Sequence, residues 1–176
     1  LNEIINSVKL RTGKTKIDIV AHSMGGLVAR RYMQIYGSES VNKLIMIGTP
    51  NHGISGTSLT YCSVFGEKIE CSDMNKNSLF INKLNRNIQF DVPVYNLVGV
   101  GCNTDNTEGD GIATKDSASL PENGNIKNIF VNGTCKQFSY YFHSDMVDPE
   151  KYPEIYGVVR DVIYPITNIS LDYTLY

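Results

Sequence analysis

The chain has 176 residues, of which 41% are hydrophobic and 19% charged, and its formal net charge is −2. This length and composition suit one globular domain, and no basic run could neutralise a row of phosphates, which excludes nucleic acid as a partner. No stretch of about 18 apolar residues occurs, so no transmembrane segment is expected.

A helix, a strand, a tight turn and a second helix are predicted in the first part of the chain. Apolar residues at helical spacing predict a helix over residues 1–12, which Gly13 ends. The β-branched run at 16–21 predicts a strand, and a tight turn follows at 22–26. Helical periodicity then resumes over 27–36.

The rest of the chain predicts three more strands and one long insertion. The run at 43–48 is almost continuously apolar, as expected of a parallel strand covered on both faces. Few strand signals occur at 49–91, where a helical patch at 77–84 and several glycines predict an inserted cap or lid. The remaining predicted elements are a strand at 92–98, a loop at 99–111, a strand at 127–131, a loop containing His143, a helix at 149–163 capped by Asp148, and an irregular or strand-like tail from Tyr164.

Strands that alternate with helices predict an α/β fold with a mostly parallel sheet and flanking helices. We expect residues 1–176 to form a single domain with the cap or lid insert at about 54–90. The apolar side chains of that insert predict an acyl-chain pocket, a mobile lid, or ordinary packing of the insert onto the domain. They are Phe65, Ile69, Leu79, Phe80, Ile81 and Leu84, of which Phe65, Leu79 and Phe80 are the candidate substrate-binding residues.

The turn around Ser23 carries the strongest chemical signal. The serine stands between a strand and a helix, with small residues at Ala21, Gly25 and Gly26. Positions two before and two after a nucleophile in such a turn crowd one another, so only small residues fit. The helix start also aims backbone N–H groups at a developing oxyanion, and the Met24 N–H is one expected donor. The alternative is a serine that only caps a helix.

Five segments resemble, in the same order, segments of bacterial and archaeal lipases of the α/β-hydrolase fold. They are the nucleophile region Ala21-His-Ser-Met-Gly-Gly-Leu-Val-Ala-Arg30, the loop Gly48-Thr-Pro-Asn-His-Gly53, the cap helix Ser78-Leu-Phe-Ile-Asn-Lys-Leu-Asn85, the acid turn Gly109-Asp-Gly-Ile-Ala113 and the histidine turn His143-Ser-Asp-Met146. The strict pattern has glycine where Ala21 stands. The resemblance implies a lipase or carboxylesterase that cleaves lipid or other carboxylic esters through an acyl-enzyme and needs no cofactor.

A nucleophilic serine needs a base within hydrogen-bond reach, and the chain has three histidines. His22 adjoins the serine and is expected to point away across the turn. His52 follows the second strand at the edge of the sheet where the site should lie, and is a candidate for lining it. His143 keeps the order serine, acid, histidine that this fold uses, and is the predicted base.

The acid that orients the base is expected in the loop after the third strand. This loop offers Asp105, Glu108, Asp110 and Asp116. Asp110 is preferred because Gly109 and Gly111 would let the chain turn its carboxylate towards the imidazole. The other three are interpreted as solvated loop carboxylates. Asp145 matches a position that binds calcium in some related lipases, but one acidic residue does not make a calcium site, and no metal is predicted.

The four cysteines show neither CxxC pairs nor zinc-ligand spacing. Their even number favours disulfides and an oxidising compartment, so the location leans towards extracellular. We favour the pair Cys62–Cys71, which would close a small loop in the insert. The pair Cys102–Cys135 would then join the ends of neighbouring parallel strands.

The family's fold has further strands before the nucleophile strand, whereas only one helix precedes it here. The missing part would supply the second oxyanion donor and a strand to pair with residues 16–21. We therefore expect a fragment that depends on a missing N-terminal segment or a partner chain and has little activity alone. The rival interpretations are an acyltransferase or amidase with the same triad, and a non-catalytic domain.

Overall fold

A computed structural model describes residues 1–65, 68–135 and 140–165. The side chain of Phe65 and most of the tail predicted from Tyr164 lie outside the described part. The helices are α1 (Asn2–Thr12), α2 (Met24–Tyr36), α3 (Gly56–Phe65), α4 (Lys68–Met74), α5 (Leu79–Leu84), α6 (Lys115–Ala118), α7 (Tyr140–Asp145) and α8 (Pro153–Ile163). The strands are β1 (Ile17–His22), β2 (Val41–Ile47), β3 (Val94–Val100), β4 (Cys102–Thr104), β5 (Thr107–Gly109) and β6 (Ile126–Asn132).

Four of these strands form a parallel sheet in the order β1-β2-β3-β6. The predicted α/β fold with a parallel sheet and flanking helices is confirmed. Because parallel strands all end at the same edge, the segments that follow β1, β2 and β3 meet there. His22 at the end of β1 lies opposite Ile47 of β2, which in turn lies opposite Leu97 of β3.

The sheet separates two layers of apolar packing. In β2, Leu44 and Met46 belong to the core cluster that also contains α1 and α2 residues. Ile45 and Ile47 face the opposite way, into the cluster with α7 and α8. Successive residues of a strand point to opposite faces, so a strand covered on both sides must be apolar throughout. This explains the continuous apolar run that marked β2 in the sequence.

The outer edge of β1 has no partner strand in the described part of the chain. Val20 on this strand is 46% exposed. It borders an apolar groove of about 250 Å³ that Ile47, Tyr152 and Val159 also line. The expectation that a further strand pairs here stays a prediction.

The insert between β2 and β3 contains α3, α4 and α5, of which only α5 was predicted. Ser78 caps α5 by accepting a hydrogen bond of 3.1 Å from the Ile81 N–H. Ile81 and Leu84 pack against Leu27 of α2. The insert is therefore attached to the domain through the same helix that follows Ser23.

Both expected disulfides are present. Cys62 and Cys71 join α3 to α4, with their Cα atoms 5.7 Å apart. Cys102 at the start of β4 joins Cys135, which follows β6, with a Cα–Cα distance of 5.3 Å. The second bridge holds the start of β4 next to the described residues that follow β6.

The predicted start of the last helix is wrong. α8 begins at Pro153 with Tyr152 as its N-cap, and Asp148 does not cap it. Asp148 instead forms a turn, in which its side chain accepts from the Glu150 N–H and its carbonyl accepts from the Tyr152 N–H. Proline is favoured at the first helical position because it has no N–H to satisfy. Both Pro149 and Pro153 fit that preference, so it could not decide between the two starts.

Candidate active site

Ser23 lies in a strained turn between β1 and α2, with φ 52° and ψ −128°. Two backbone bonds hold this conformation: the Ser23 N–H donates to the Ile47 carbonyl at 2.9 Å, and the Gly26 N–H donates to the Ser23 carbonyl at 3.1 Å. The serine hydroxyl makes no capping bond to α2, so the helix-cap interpretation is wrong. Such strain costs about 1–3 kcal/mol and is typical of functional sites.

The first turn of α2 packs closely against the loop after β2. A Cβ added at Gly26 would lie 2.1 Å from Thr49 Oγ1 and 2.7 Å from its Cγ2. A Cβ at Gly25 would lie 3.6 Å from Ala21 Cβ, which is ordinary contact. Of these two positions, Gly26 therefore tolerates a larger side chain less well than Gly25. The sequence pattern had pointed to Gly25, which lies two residues after Ser23.

Gly26→Ala is expected to lower the free energy of unfolding by about 2 kcal/mol, since the added methyl overlaps Thr49 in a packed interior. Gly25→Ala is the matched control. It should be neutral or slightly stabilising, because alanine in a helix costs less conformational entropy than glycine. Urea unfolding of both variants measures the difference. Adding Thr49→Ala to Gly26→Ala should recover part of the loss, and equal stabilities of Gly25→Ala and Gly26→Ala would contradict the packing explanation.

The imidazole of His143 lies between Ser23 and Asp110. Its Nε2 is 2.9 Å from Ser23 Oγ, and its Nδ1 is 2.7 Å from Asp110 Oδ2. Because a carboxylate only accepts, the Nδ1–H of a neutral ring donates to Asp110 and Nε2 is free to accept from the serine hydroxyl. The structure thus brings the predicted nucleophile, base and acid into one hydrogen-bonded series.

The carboxylate of Asp110 is completely buried and receives several hydrogen bonds. Its Oδ1 accepts from the backbone N–H groups of Ile112 at 2.9 Å and Ala113 at 2.7 Å. The backbone carbonyl of Asp110 also accepts from the His143 N–H at 3.1 Å. A buried carboxylate needs hydrogen-bond donors to offset its desolvation, and here the two N–H groups also fix its direction.

Gly48 and Gly99 leave space for the side chains of Asp110 and His143. The sequence analysis did not predict this role for either glycine. Gly48 has φ 57°, and a Cβ there would meet Asp110 Oδ2 at 3.1 Å and His143 Nδ1 at 3.3 Å. A Cβ at Gly99 would lie 2.6 Å from the Cβ of Asp110. Gly48 is the first residue of the loop motif Gly48-Thr-Pro-Asn-His-Gly53. The motif could therefore have predicted that a glycine is needed at this position.

The other acidic candidates lie elsewhere. Asp105 accepts hydrogen bonds at the exposed surface from the backbone N–H and hydroxyl of Thr57, at the start of α3. Glu108 forms an exposed ion pair with Lys115. Asp116 is exposed. None of these three contacts the imidazole of His143 in the described part of the chain.

Ser23 does not line the pockets that His52 and Phe80 border, and Leu79 lies at the surface. The ring of His52 lies 3.1 Å from the Ser117 carbonyl and borders a surface pocket of about 230 Å³. Leu79 is 78% exposed, and Phe80 borders a groove beside Val28 of α2. Their role in substrate binding, like that of Phe65, stays a prediction.

His22 contacts His143, the candidate base. Its Nε2 lies 2.9 Å from the backbone carbonyl of His143, and the two ring centroids are 4.9 Å apart. Burial lowers the pKa of His22, and the nearby charge of His143 lowers it further, whereas the bond to the carbonyl and the charge of Asp110 act in the opposite direction. His22 is therefore neutral at neutral pH.

Arg30, a buried residue of α2, donates hydrogen bonds to the loop after β2 and to the insert. Arg30 is 3% exposed. One guanidinium nitrogen donates to the backbone and side-chain oxygens of Asn51, each at 3.0 Å. The other donates to the Leu84 carbonyl at 3.4 Å and to Asn85 Oδ1 at 2.7 Å. Burial lowers the pKa of Arg30 to about 10, so it is still protonated at neutral pH.

Buried asparagines continue this network across the sheet. The Asn51 amide donates to Asn96 Oδ1 at 3.2 Å and to the Ala118 carbonyl at 2.7 Å. The Asn96 amide donates to Asn128 Oδ1 at 2.7 Å. The network therefore connects α2 and the insert with β3, β6 and the end of α6.

The described residues contain neither a cluster of metal-ligating side chains nor a membrane-spanning helix. No group of three or more His, Cys, Asp or Glu side chains converges there as a metal site would require. Asp145, the position compared with a calcium ligand, pairs with Lys151 at 2.6 Å. None of the described helices is long and apolar enough to cross a membrane.

The four-stranded parallel sheet, its flanking helices and a serine at the turn after β1 define a partial α/β-hydrolase fold. The chain belongs to the family described as alpha/beta hydrolase of unknown function (DUF915), whose model matches residues 1–148. No curated protein matches the chain at a significant level.

Solved structures of bacterial proteins share the fold. The mature lipase BlEst2 of Bacillus licheniformis has a TM-score of 0.61 and 18% identity over 87% of this chain and 70% of its own. A gene product of Listeria innocua has a TM-score of 0.55 and 20% identity over 97% of this chain and 65% of its own. Phospholipase PlaB of Legionella pneumophila has a TM-score of 0.58 and 19% identity over 88% of this chain and 44% of its own. The chain therefore spans less than two thirds of the last two proteins, and identities this low establish the fold alone.

Proposed function

We propose that the protein is a serine hydrolase that cleaves carboxylic esters, with Ser23 as nucleophile, His143 as general base and Asp110 as the acid that orients it. The observation that carries this proposal is the continuous series from Ser23 Oγ through the His143 ring to Asp110 Oδ2, with links of 2.9 and 2.7 Å. A base in contact with a hydroxyl, itself oriented by a buried carboxylate, is the arrangement that activates serine.

The chemistry follows from that arrangement. Ser23 Oγ attacks the ester carbonyl carbon while its proton passes to His143 Nε2, and Asp110 stabilises the resulting imidazolium. The negative charge that develops on the carbonyl oxygen is stabilised by the Met24 N–H at the start of α2. Collapse of the intermediate breaks the bond to the alcohol, which leaves with the proton from His143. Water then repeats the sequence and releases the carboxylic acid.

The substrate class proposed is a lipid or other small carboxylic ester. Two of the proteins with the same fold are named as a lipase and a phospholipase, which supports an ester of a fatty acid. An acyltransferase would use the same acyl-enzyme and differ only in the acceptor. Product analysis with an added alcohol separates the two, since ester formation instead of free acid indicates acyl transfer.

The first test is labelling of the full-length protein by a fluorophosphonate, which reacts covalently with activated serines. Labelling is expected in the wild type and lost in Ser23→Ala and His143→Ala. Ser144→Ala is the matched control, because Ser144 is exposed and adjoins His143 in α7. Labelling that survives in Ser23→Ala, or no labelling of folded wild type, would refute the proposed nucleophile.

A further inference from the structure

The bond between His22 and His143 joins two short segments that are far apart in sequence. His22 is the last residue of β1 and directly precedes Ser23, so its backbone is continuous with that of the nucleophile. Its Nε2 lies 2.9 Å from the His143 carbonyl oxygen, 121 residues away in the chain. One side chain thus ties the backbone that presents the hydroxyl to the backbone that presents the imidazole.

The chemistry of the two partners decides the direction of this bond. A carbonyl only accepts, so His22 donates through an Nε2–H, which fixes the tautomer of its neutral ring. His143 lies in the last turn of α7, where carbonyls lack an intrahelical donor. His22 supplies that donor from outside the helix. The His143 N–H is held in turn by the Asp110 carbonyl at 3.1 Å.

This bond differs from the one between Ser23 and His143 because it need not change during the reaction. When Ser23 is acylated, its hydroxyl proton is gone and its bond to His143 Nε2 is lost. The donor on His22 and the His143 carbonyl are not reacting atoms. The bond from the His143 ring to Asp110 and the bond from His22 to the His143 carbonyl remain, and both can keep His143 in place for the attack of water.

We propose that His22 is a positioning residue for the hydrolase reaction, which holds His143 within reach of Ser23 and of the attacking water by donating to the His143 carbonyl. This inference rests on the proposed function. The titratable groups that face His22 are His143 and Asp110. His22 is neutral when His143 receives the proton, so it adds no positive charge next to the imidazolium.

The test compares two substitutions in the full-length protein. His22→Gln keeps an N–H donor at nearly the same distance from the backbone, whereas His22→Phe keeps a ring and removes the donor. His22→Phe is expected to lower kcat about 10- to 100-fold with little change in KM, since misplacement of a catalytic group by about 1 Å costs on that order. His22→Gln should stay within about threefold of wild type. Thermal unfolding of both variants checks that the comparison is made on folded protein.

A second measurement does not depend on turnover. In protein labelled with ¹⁵N-histidine, the Nδ1 proton of His143 that is bonded to Asp110 should give a sharp, strongly deshielded NMR signal in wild type and His22→Gln. In His22→Phe it should broaden through exchange with solvent. If Phe and Gln behave alike in both measurements, the positioning role is overturned. If the wild type cleaves no ester, the proposed function fails, and the NMR comparison still tests the bond.

Discussion

Ser23→Ala is expected to lower the kcat for ester cleavage about 10⁴- to 10⁶-fold while leaving the fold intact. The loss is large because no other group replaces the attacking oxygen, and the residual rate would come from the remaining oxyanion donor and substrate binding. The fold should tolerate the change because the Ser23 hydroxyl makes no capping bond to α2. Alanine also accepts the positive φ no worse than serine. Steady-state kinetics with a chromogenic ester and thermal unfolding measure the two effects.

The double variant Ser23→Ala/His143→Ala sharpens this prediction. Residues that act as one unit show strongly non-additive losses, so the double variant should be no slower than Ser23→Ala alone. Ser144→Ala, which removes an exposed hydroxyl from the same helix as His143, should keep wild-type rates. A Ser23→Ala variant that retains a rate within tenfold of wild type would show that another group is the nucleophile.

Arg30→Met is expected to lower the free energy of unfolding by about 3–5 kcal/mol, the largest stability effect predicted for a single side chain here. Methionine fills a similar volume but removes the hydrogen bonds that Arg30 donates to Asn51, Leu84 and Asn85. The Asn51 carbonyl keeps its second donor, the Asn85 amide at 3.0 Å. These oxygens would be left without Arg30's hydrogen bonds in or near the interior, and each unsatisfied group costs about 1–3 kcal/mol. Among the described residues the partners of Arg30 are carbonyl and amide oxygens and include no carboxylate, so an unpaired negative charge does not add to this loss.

Arg31→Met is the matched control for Arg30→Met. Arg31 is the next residue of α2, and its guanidinium bonds to Gln34 at the exposed surface, so the change should alter stability by less than about 0.5 kcal/mol. Arg30→Lys should lie between the two, because an ammonium does not span the two sets of oxygens that the planar guanidinium reaches. Urea unfolding gives all three values. Equal stability of Arg30→Met and Arg31→Met would mean that the asparagine network rearranges without the arginine.

Several elements of the fold and of the candidate site are encoded in short stretches of the amino-acid sequence. The apolar run of β2 predicted a parallel strand buried on both faces, and small residues around Ser23 predicted the turn between β1 and α2. Two glycines beside Asp110 distinguished it from the neighbouring acids, and the structure places that residue against His143. Each of these signals lies within about ten residues, because strand alternation, helix periodicity and turn geometry are short-range properties.

Other features were decided by the tertiary structure alone. Asp105 and Asp110 are loop carboxylates five positions apart in sequence, yet one meets α3 and the other His143. The bond from His22 to His143 and the contacts of Arg30 with the insert likewise join distant parts of the chain. Whether a polar side chain is exposed, caps a helix or holds a catalytic group depends on which segments the sheet brings together. That information is set by packing over the whole domain, and no pattern within one segment encodes it.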